Sequence, residues 1–185
     1  MSPTSPDSND SVQAQVEALI AVAKKLNGEG NELQALEAYK TAASLMLGAP
    51  WLQLRTAELA RKLHQPESAT QHYRRAASAF IRAGFPKRAL APLRAAWQVA
   101  ASLLPRDVSS FITITLELTN VQRELGLSAD AKTMLGNANQ ALRAAGSTES
   151  VPLNLELERS AIEPKTSLDS NQSSEPSRPA LASGG

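Results

Sequence analysis

Residues 59–76 read LARKLHQPESATQHYRRA, and this stretch carries the spacing that decides the fold. Its apolar positions are Leu59 and Leu63 before a short turn, then Ala69, Tyr73 and Ala76 after it. The first two are four residues apart, and the later three recur with the period of an α-helix. The stretch therefore predicts a helical hairpin, in which two amphipathic helices are joined by a turn that contains Pro66.

The same arrangement occurs twice more along the chain. The apolar sets are Val22, Leu26, Ala35, Tyr39 and Ala42 in one copy, and Val121, Leu125, Ala131, Leu135 and Ala138 in the other. Tyr39 and Tyr73 are 34 residues apart. Repetition at this period is typical of stacked helical hairpins, because a single hairpin cannot bury its apolar face alone.

Turn residues extend this reading to seven predicted helices. They cover about residues 11–26, 31–47, 51–63, 67–83, 87–104, 111–125 and 128–145. The stretch Phe111–Thr119 also alternates like a strand, but its apolar residues keep helical spacing up to Gly126 and no other strand is available to pair with it. The predicted fold class is all-α, with about seven antiparallel helices stacked as an α-solenoid.

Composition sets the predicted boundaries of the repeat domain. Residues 1–10 are rich in Ser, Pro and Asp, which predicts a disordered N-terminal tail followed by a helix capped by Ser11. Residues 11–146 form the predicted helical repeat domain. Residues 147–185 are rich in Ser, Pro and acidic residues, which predicts a disordered acidic tail.

Charge and cysteine usage restrict the possible functions. The chain has no cysteine, and no secretory signal or membrane-spanning run is evident, which favours a cytoplasmic protein. Residues 51–106 contain ten Lys or Arg and two acidic residues, a net charge of +8, whereas the whole chain has a net charge of +1. The middle third is therefore a candidate electropositive surface.

The repeated pattern resembles the tetratricopeptide repeat family. A small turn residue, an alanine five positions later, then an aromatic or leucine and a further alanine occur at Gly30/Ala35/Tyr39/Ala42, Gly84/Ala89/Leu93/Ala96 and Gly126/Ala131/Leu135/Ala138. His64 replaces the turn glycine before Ala69, and the turn of the first unit contains three more residues than that of the second. The resemblance implies a non-catalytic adaptor or scaffold, bacterial in type, that binds a peptide or helix of another protein.

A candidate binding groove follows from the basic helices. Helical spacing places His72, Arg75 and Arg82 on one face of the fourth predicted helix, and Lys87 and Arg94 on one face of the fifth. Adjacent faces of this kind would bind an acidic partner segment through charge-assisted hydrogen bonds, and an exposed Ala79 and Ala91 would let the partner backbone approach. The same stripes are also typical of solvated outer faces, and the acidic tail is a second candidate for neutralising them.

Two other classes of function stay open. The basic face could contact nucleic acid, although no basic tail or set of aromatic stacking residues accompanies it. Alternatively, the hairpins could stack end to end in a self-assembling structural protein. No metal or cofactor site is predicted, because His64 and His72 are the only histidines and have no ligand spacing. The central third has almost no carboxylates for acid–base chemistry, so an enzyme is not predicted.

Overall fold

The computed structural model describes residues 7–152. Its seven helices are α1 (Asp7–Gly28), α2 (Glu32–Leu45), α3 (Pro50–Lys62), α4 (Pro66–Arg82), α5 (Pro86–Ala101), α6 (Val108–Glu124) and α7 (Ser128–Ala144). No strand occurs among these residues, and Phe111–Thr119 lies within α6. The prediction of an all-α fold with seven helices is confirmed.

Each helix packs against the next one along the chain. Three-residue connections join α1 to α2, α3 to α4, α4 to α5 and α6 to α7, and connections this short return the chain alongside the preceding helix in antiparallel order. One core cluster shows how the layers meet, since it joins three consecutive helices. It consists of Ala77 of α4, Ala89 and Leu93 of α5, and Leu118 and Val121 of α6.

The repeated sequence positions are the positions that the fold buries. The two alanines of each set have no solvent exposure, and the intervening aromatic or leucine is buried as well. These residues are Ala35, Tyr39 and Ala42; Ala69, Tyr73 and Ala76; Ala89, Leu93 and Ala96; and Ala131, Leu135 and Ala138. The alanines have no atoms beyond Cβ, so neighbouring helices can approach closely at these levels.

One turn geometry closes α1, α3, α4, α6 and α7. In each turn the chain passes through a residue of positive φ, which is Gly30, His64, Gly84, Gly126 or Gly146. The next backbone N–H then bonds back to a carbonyl five residues earlier, at 2.8–3.0 Å: Asn31 to Leu26, Gln65 to Ala60, Phe85 to Phe80, Leu127 to Gln122 and Ser147 to Leu142. This is a Schellman helix end, which strongly favours glycine. His64 adopts it at a φ of 54°.

The turn of the first unit is therefore no longer than that of the second, contrary to the sequence prediction. Both connections contain three residues, and in both the positive-φ residue precedes the first buried alanine by five positions. The prediction was wrong because Leu26 aligns with Ala60, which occupies the same place in the helix end, and not with Leu63.

The described chain adds to the predicted repeat domain at both ends, by a longer first helix and by a non-helical segment packed after α7. α1 begins at Asp7, so Ser11 lies inside the helix and is not its N-cap. After α7, Val151 is buried and held by Asn139, whose Nδ2 donates to the Val151 carbonyl at 3.1 Å and whose Oδ1 accepts from the Val151 N–H at 2.7 Å. The tail predictions for residues 1–6 and 153–185 lie outside the described residues.

None of the described helices combines the length and the uninterrupted apolar character that crossing a bilayer requires.

Candidate partner-binding site

The N-terminal half of α4 lines a cavity of about 660 Å³. The α4 residues at this cavity lie between Glu67 and Arg75. Lys40 of α2 lies on one side, and Leu103, Asp107 and Ser110, around the α5–α6 connection, lie on the other. We call this the α4 cavity. It collects side chains that are far apart in the sequence, because α2 and the start of α6 both reach the same part of α4.

His72 is the most deeply placed titratable residue in the α4 cavity, and it is only 4% exposed. Its Nδ1 lies 2.7 Å from Oε1 of Gln53, a buried residue of α3. Gln53 in turn donates through Nε2 to the Ala43 carbonyl at 2.8 Å, which identifies Oε1 as the acceptor atom. The proton of the neutral imidazole therefore lies on Nδ1, and Nε2 keeps a free lone pair.

Burial and two neighbouring cations keep this imidazole neutral. Desolvation is the largest cause, followed by the positive charges of Arg75 and Lys40, and together they lower the pKa of His72 to about 4. Arg75 thus opposes protonation of His72, and burial opposes it more strongly. At neutral pH the imidazole contributes a hydrogen-bond acceptor and no charge.

Several charged side chains at the α4 cavity are already engaged. Arg74 donates through Nε to Glu117 of α6 at 2.9 Å and through a second nitrogen to the other carboxylate oxygen, which raises the pKa of Arg74. Lys40 donates to Glu37 at 2.9 Å and to Gln65 at 3.2 Å. Asp107 caps α6, and hydrogen bonds from Ser110 are the main cause of its lowered pKa.

Two other polar residues at the α4 cavity lack such interactions: Arg75 has no ion pair, and the Thr70 hydroxyl has no hydrogen-bond partner, within residues 7–152. Arg75 is half-buried and forms no ion pair with any residue between 7 and 152. Thr70 is 6% exposed, and its hydroxyl oxygen has no hydrogen-bond partner in the described part of the chain. A buried hydroxyl without a partner costs free energy.

The structure divides the predicted site residues into two groups. His72 and Arg75 line the α4 cavity. Arg82, Lys87 and Arg94 are exposed and do not line it. Sequence reasoning missed Lys40, Thr70 and Asp107, which lie outside the basic stripe and come together only through packing. Ala91 is exposed as expected, but Ala79 is 3% exposed, because it faces the packed side of α4.

The two tryptophans have different environments. Trp97 donates through Nε1 to the Thr115 hydroxyl at 3.0 Å, and its ring centroid lies 5.3 Å from that of Phe111, so it is a packing residue. Trp51, at the start of α3, is 53% exposed. In the part of the chain from residue 7 to 152, no three His, Asp or Glu side chains are grouped closely enough to hold a metal ion.

The likeness of this chain to known proteins is distant. The sequence matches no protein-family model and no curated protein. Among solved structures, the chain is similar to the crystal structure of BtubC (BKLC) from P. vanneervenii, with 15% sequence identity and a TM-score of 0.38. The match covers 76% of this chain and 68% of that one.

Proposed function

We propose that this chain is a non-catalytic protein–protein interaction module, an adaptor or scaffold of the kind that tetratricopeptide repeats provide. Its ligand is an acidic segment of a partner protein, bound at the α4 cavity. The observation that carries this proposal is Arg75, a half-buried guanidinium without an ion pair among residues 7–152, beside a neutral histidine and an unsatisfied hydroxyl. A partner carboxylate would supply the missing negative charge and accept hydrogen bonds from Arg75.

The neighbouring groups act on this preference in both directions. Lys40 adds a second positive charge at the cavity edge, although it is already ion-paired. Glu67 and Asp107 also line the cavity and oppose an incoming carboxylate, so the preference depends on Arg75. Nε2 of His72 can accept from a ligand N–H. The cavity therefore suits a peptide that presents a carboxylate next to backbone amide groups.

Peptide selection followed by affinity measurement tests the proposal. A displayed random peptide library, selected on the full chain, is expected to enrich sequences that contain Asp or Glu. Fluorescence anisotropy with the selected peptide should then show roughly a tenfold or greater loss of affinity for Arg75→Glu, since truncated or reversed anchor residues carry most of the binding energy.

Arg94→Glu is the matched control. It makes the same charge reversal on the neighbouring helix, at an exposed residue outside the α4 cavity. If general electrostatic attraction governed binding, both variants would lose affinity equally, and the cavity would be rejected as the site. Selection of peptides without acidic residues would also reject it.

The other two functions make different predictions. Nucleic-acid contact through the basic face predicts duplex or single-strand binding that weakens steeply with salt, and Arg94→Glu should then matter as much as Arg75→Glu. Self-assembly predicts a molar mass that rises with concentration in light scattering. A cytoplasmic location is part of the proposal, and the cysteine-free sequence is compatible with such a reducing compartment.

A further inference from the structure

A second surface, separate from the α4 cavity, has both exposed apolar side chains and uncompensated positive charge. Consecutive helices alternate in direction, so the α2–α3, α4–α5 and α6–α7 connections lie at the same end of the array. Most of the strongly exposed large apolar residues described are at this end: Leu45, Leu47, Trp51, Ile81, Phe85 and Leu127. We call it the apolar end. The two other exposed large apolar residues described, Val22 and Leu33, lie towards the opposite end.

Four residues of the apolar end lie at one level of the array, and we call them the apolar strip. α3 and α4 are an antiparallel pair closed at Lys62 and Pro66, so the start of α3 is level with the last two turns of α4. Trp51 and the preceding Leu47 are therefore level with the part of α4 that carries Ile81. Phe85 follows directly in the α4–α5 connection and is 51% exposed.

Positive charge lies along one edge of this strip. Arg82 ends α4, and Lys87 and Arg88 occupy the first turn of α5. The sequence between Glu67 and Asp107 contains no acidic residue, and none of the three cations forms an ion pair within residues 7–152. Lys87 and Arg88 also stand at the positive end of the α5 dipole, where cations are unfavourable. The guanidinium of Arg88 lies over the Phe85 ring, with Cζ 5.1 Å from its centroid.

We propose that the apolar end docks an amphipathic helix of a partner protein that has acidic residues along one side of its apolar face. The apolar face would cover the strip formed by Leu47, Trp51, Ile81 and Phe85, and the acidic side would meet the cationic edge. Both contributions are needed: burial of aromatic and aliphatic groups supplies affinity, and charge complementarity fixes orientation.

Charge distribution favours this occupant over two others. A second copy related by a two-fold axis would present the same apolar strip and the same cationic edge, so it would supply no negative charge to compensate the cations. An anionic bilayer would have to approach the whole end, where Glu124 and Asp130 flank Leu127. An acidic helix needs to cover only the basic part of the surface.

Trp51 fluorescence provides the test, because its exposed indole would be covered on binding. The probe is a designed peptide of about 15 residues, roughly four helical turns, with leucines at i, i+3 and i+4 spacing and glutamates at the remaining positions. Added to the full chain, it is expected to shift the emission to shorter wavelength. Phe85→Ser is expected to weaken binding roughly tenfold, and Arg82→Glu with Lys87→Glu by a similar factor.

Leu33→Ser is the matched control, since Leu33 is 62% exposed and lies at the opposite end. It should leave the affinity unchanged. A peptide with lysine in place of glutamate should fail to bind. The proposal is overturned if the acidic peptide causes no shift, if the lysine peptide binds equally, or if Leu33→Ser weakens binding as much as Phe85→Ser. Binding to phosphatidylserine vesicles without peptide binding, or a dimer abolished by Phe85→Ser, would also overturn it.

Discussion

Basic residues lie towards both ends of α4, but the structure holds them differently. At the N-terminal half, Arg74 is paired with Glu117, and His72 is neutral and bonded to Gln53. Around the C-terminal end, Arg82 and the nearby Lys87 are exposed and unpaired within residues 7–152. A count of charges therefore does not separate the two surfaces, whereas the way each side chain is fixed does.

This difference predicts that the two proposed binding surfaces recognise their ligands in different ways. The α4 cavity is partly preorganised: Lys40, His72 and Arg74 are held by hydrogen bonds to neighbouring elements, so a ligand there would meet groups that have already lost much of their conformational freedom. The cations of the apolar end stand on free side chains, so their ordering would add to the cost of binding. We therefore expect the cavity to discriminate finely between ligands and the apolar end to accept a broader range of acidic helices.

The largest expected loss of stability comes from a substitution in the core that supports both surfaces. Leu93 is buried between α4, α5 and α6, and Leu93→Ala should lower the free energy of unfolding by about 2–5 kcal/mol. Urea denaturation measures this loss, with exposed Leu33→Ala as a control expected to stay within about 0.5 kcal/mol. Equal effects would contradict the assignment of Leu93 to the core.

A smaller loss of stability is expected from Gln53→Ala, which affects the α4 cavity and not the apolar end. It removes the partner of His72 and the donor to the Ala43 carbonyl, so two buried groups lose their hydrogen bonds, at a cost of about 1–3 kcal/mol. Chemical denaturation checks the stability, and binding of the acidic helical probe should be unaffected. The control is Gln71→Ala, at an exposed α4 residue. If both glutamine variants were equally stable, the Gln53 network would have no structural role.

Mild acid should lower the free energy of unfolding gradually between pH 7 and 5.5. The unfolded chain protonates His72 near its ordinary pKa of 6.5, but the folded chain resists protonation down to about 4. The unfolded state therefore binds more protons in this window, and stability falls as pH falls through it. Denaturation at several pH values should show that the free energy of unfolding changes less steeply with pH in His72→Asn, because asparagine does not titrate. A slope unchanged by this substitution would contradict the neutral, buried state of the imidazole.

The smallest expected effect concerns the turns that bracket α4, which are built on His64 at one end and Gly84 at the other. His64→Gly relieves a left-handed backbone conformation, at the cost of a more flexible unfolded chain, so a net gain of at most about 1 kcal/mol is expected. Gly84→Ala should do the opposite, since a Cβ there meets no atom within 4 Å and only the backbone is strained. Thermal unfolding compares the pair, and a destabilised His64→Gly would show that the imidazole contributes contacts of its own.

The fold was predictable because the chain repeats a local rule. Alanine lies five and twelve positions after Gly30, His64, Gly84 and Gly126, with a larger apolar residue between. This pattern specifies which face of the following helix is buried without knowledge of any distant contact. Even Phe111–Thr119, whose composition favours a strand, became helical, because Phe111, Ile114 and Leu118 are all buried on one face of α6.

The cavity was only half predictable, because helical spacing describes one helix at a time. His72 and Arg75 follow from the periodicity of α4, but Lys40 and Asp107 join them through the packing of α2 and the start of α6. The role of His72 could not be read from sequence either, since it depends on a glutamine of α3 that is itself buried. Exposed residues such as Arg94 share the same helical periodicity, and only the tertiary structure separates them from the site.

The recurrence of one turn geometry at both ends of α4 has a consequence for how such a chain can change in evolution. Because α3 joins α4 and α4 joins α5 through the same backbone geometry, a segment cut at two such turns has matching backbone ends. We expect that excision or duplication of a helix pair between two of these turns would need no new turn design. The side chains that pack α4 against its neighbours would still have to match, as the contact of His72 with Gln53 shows.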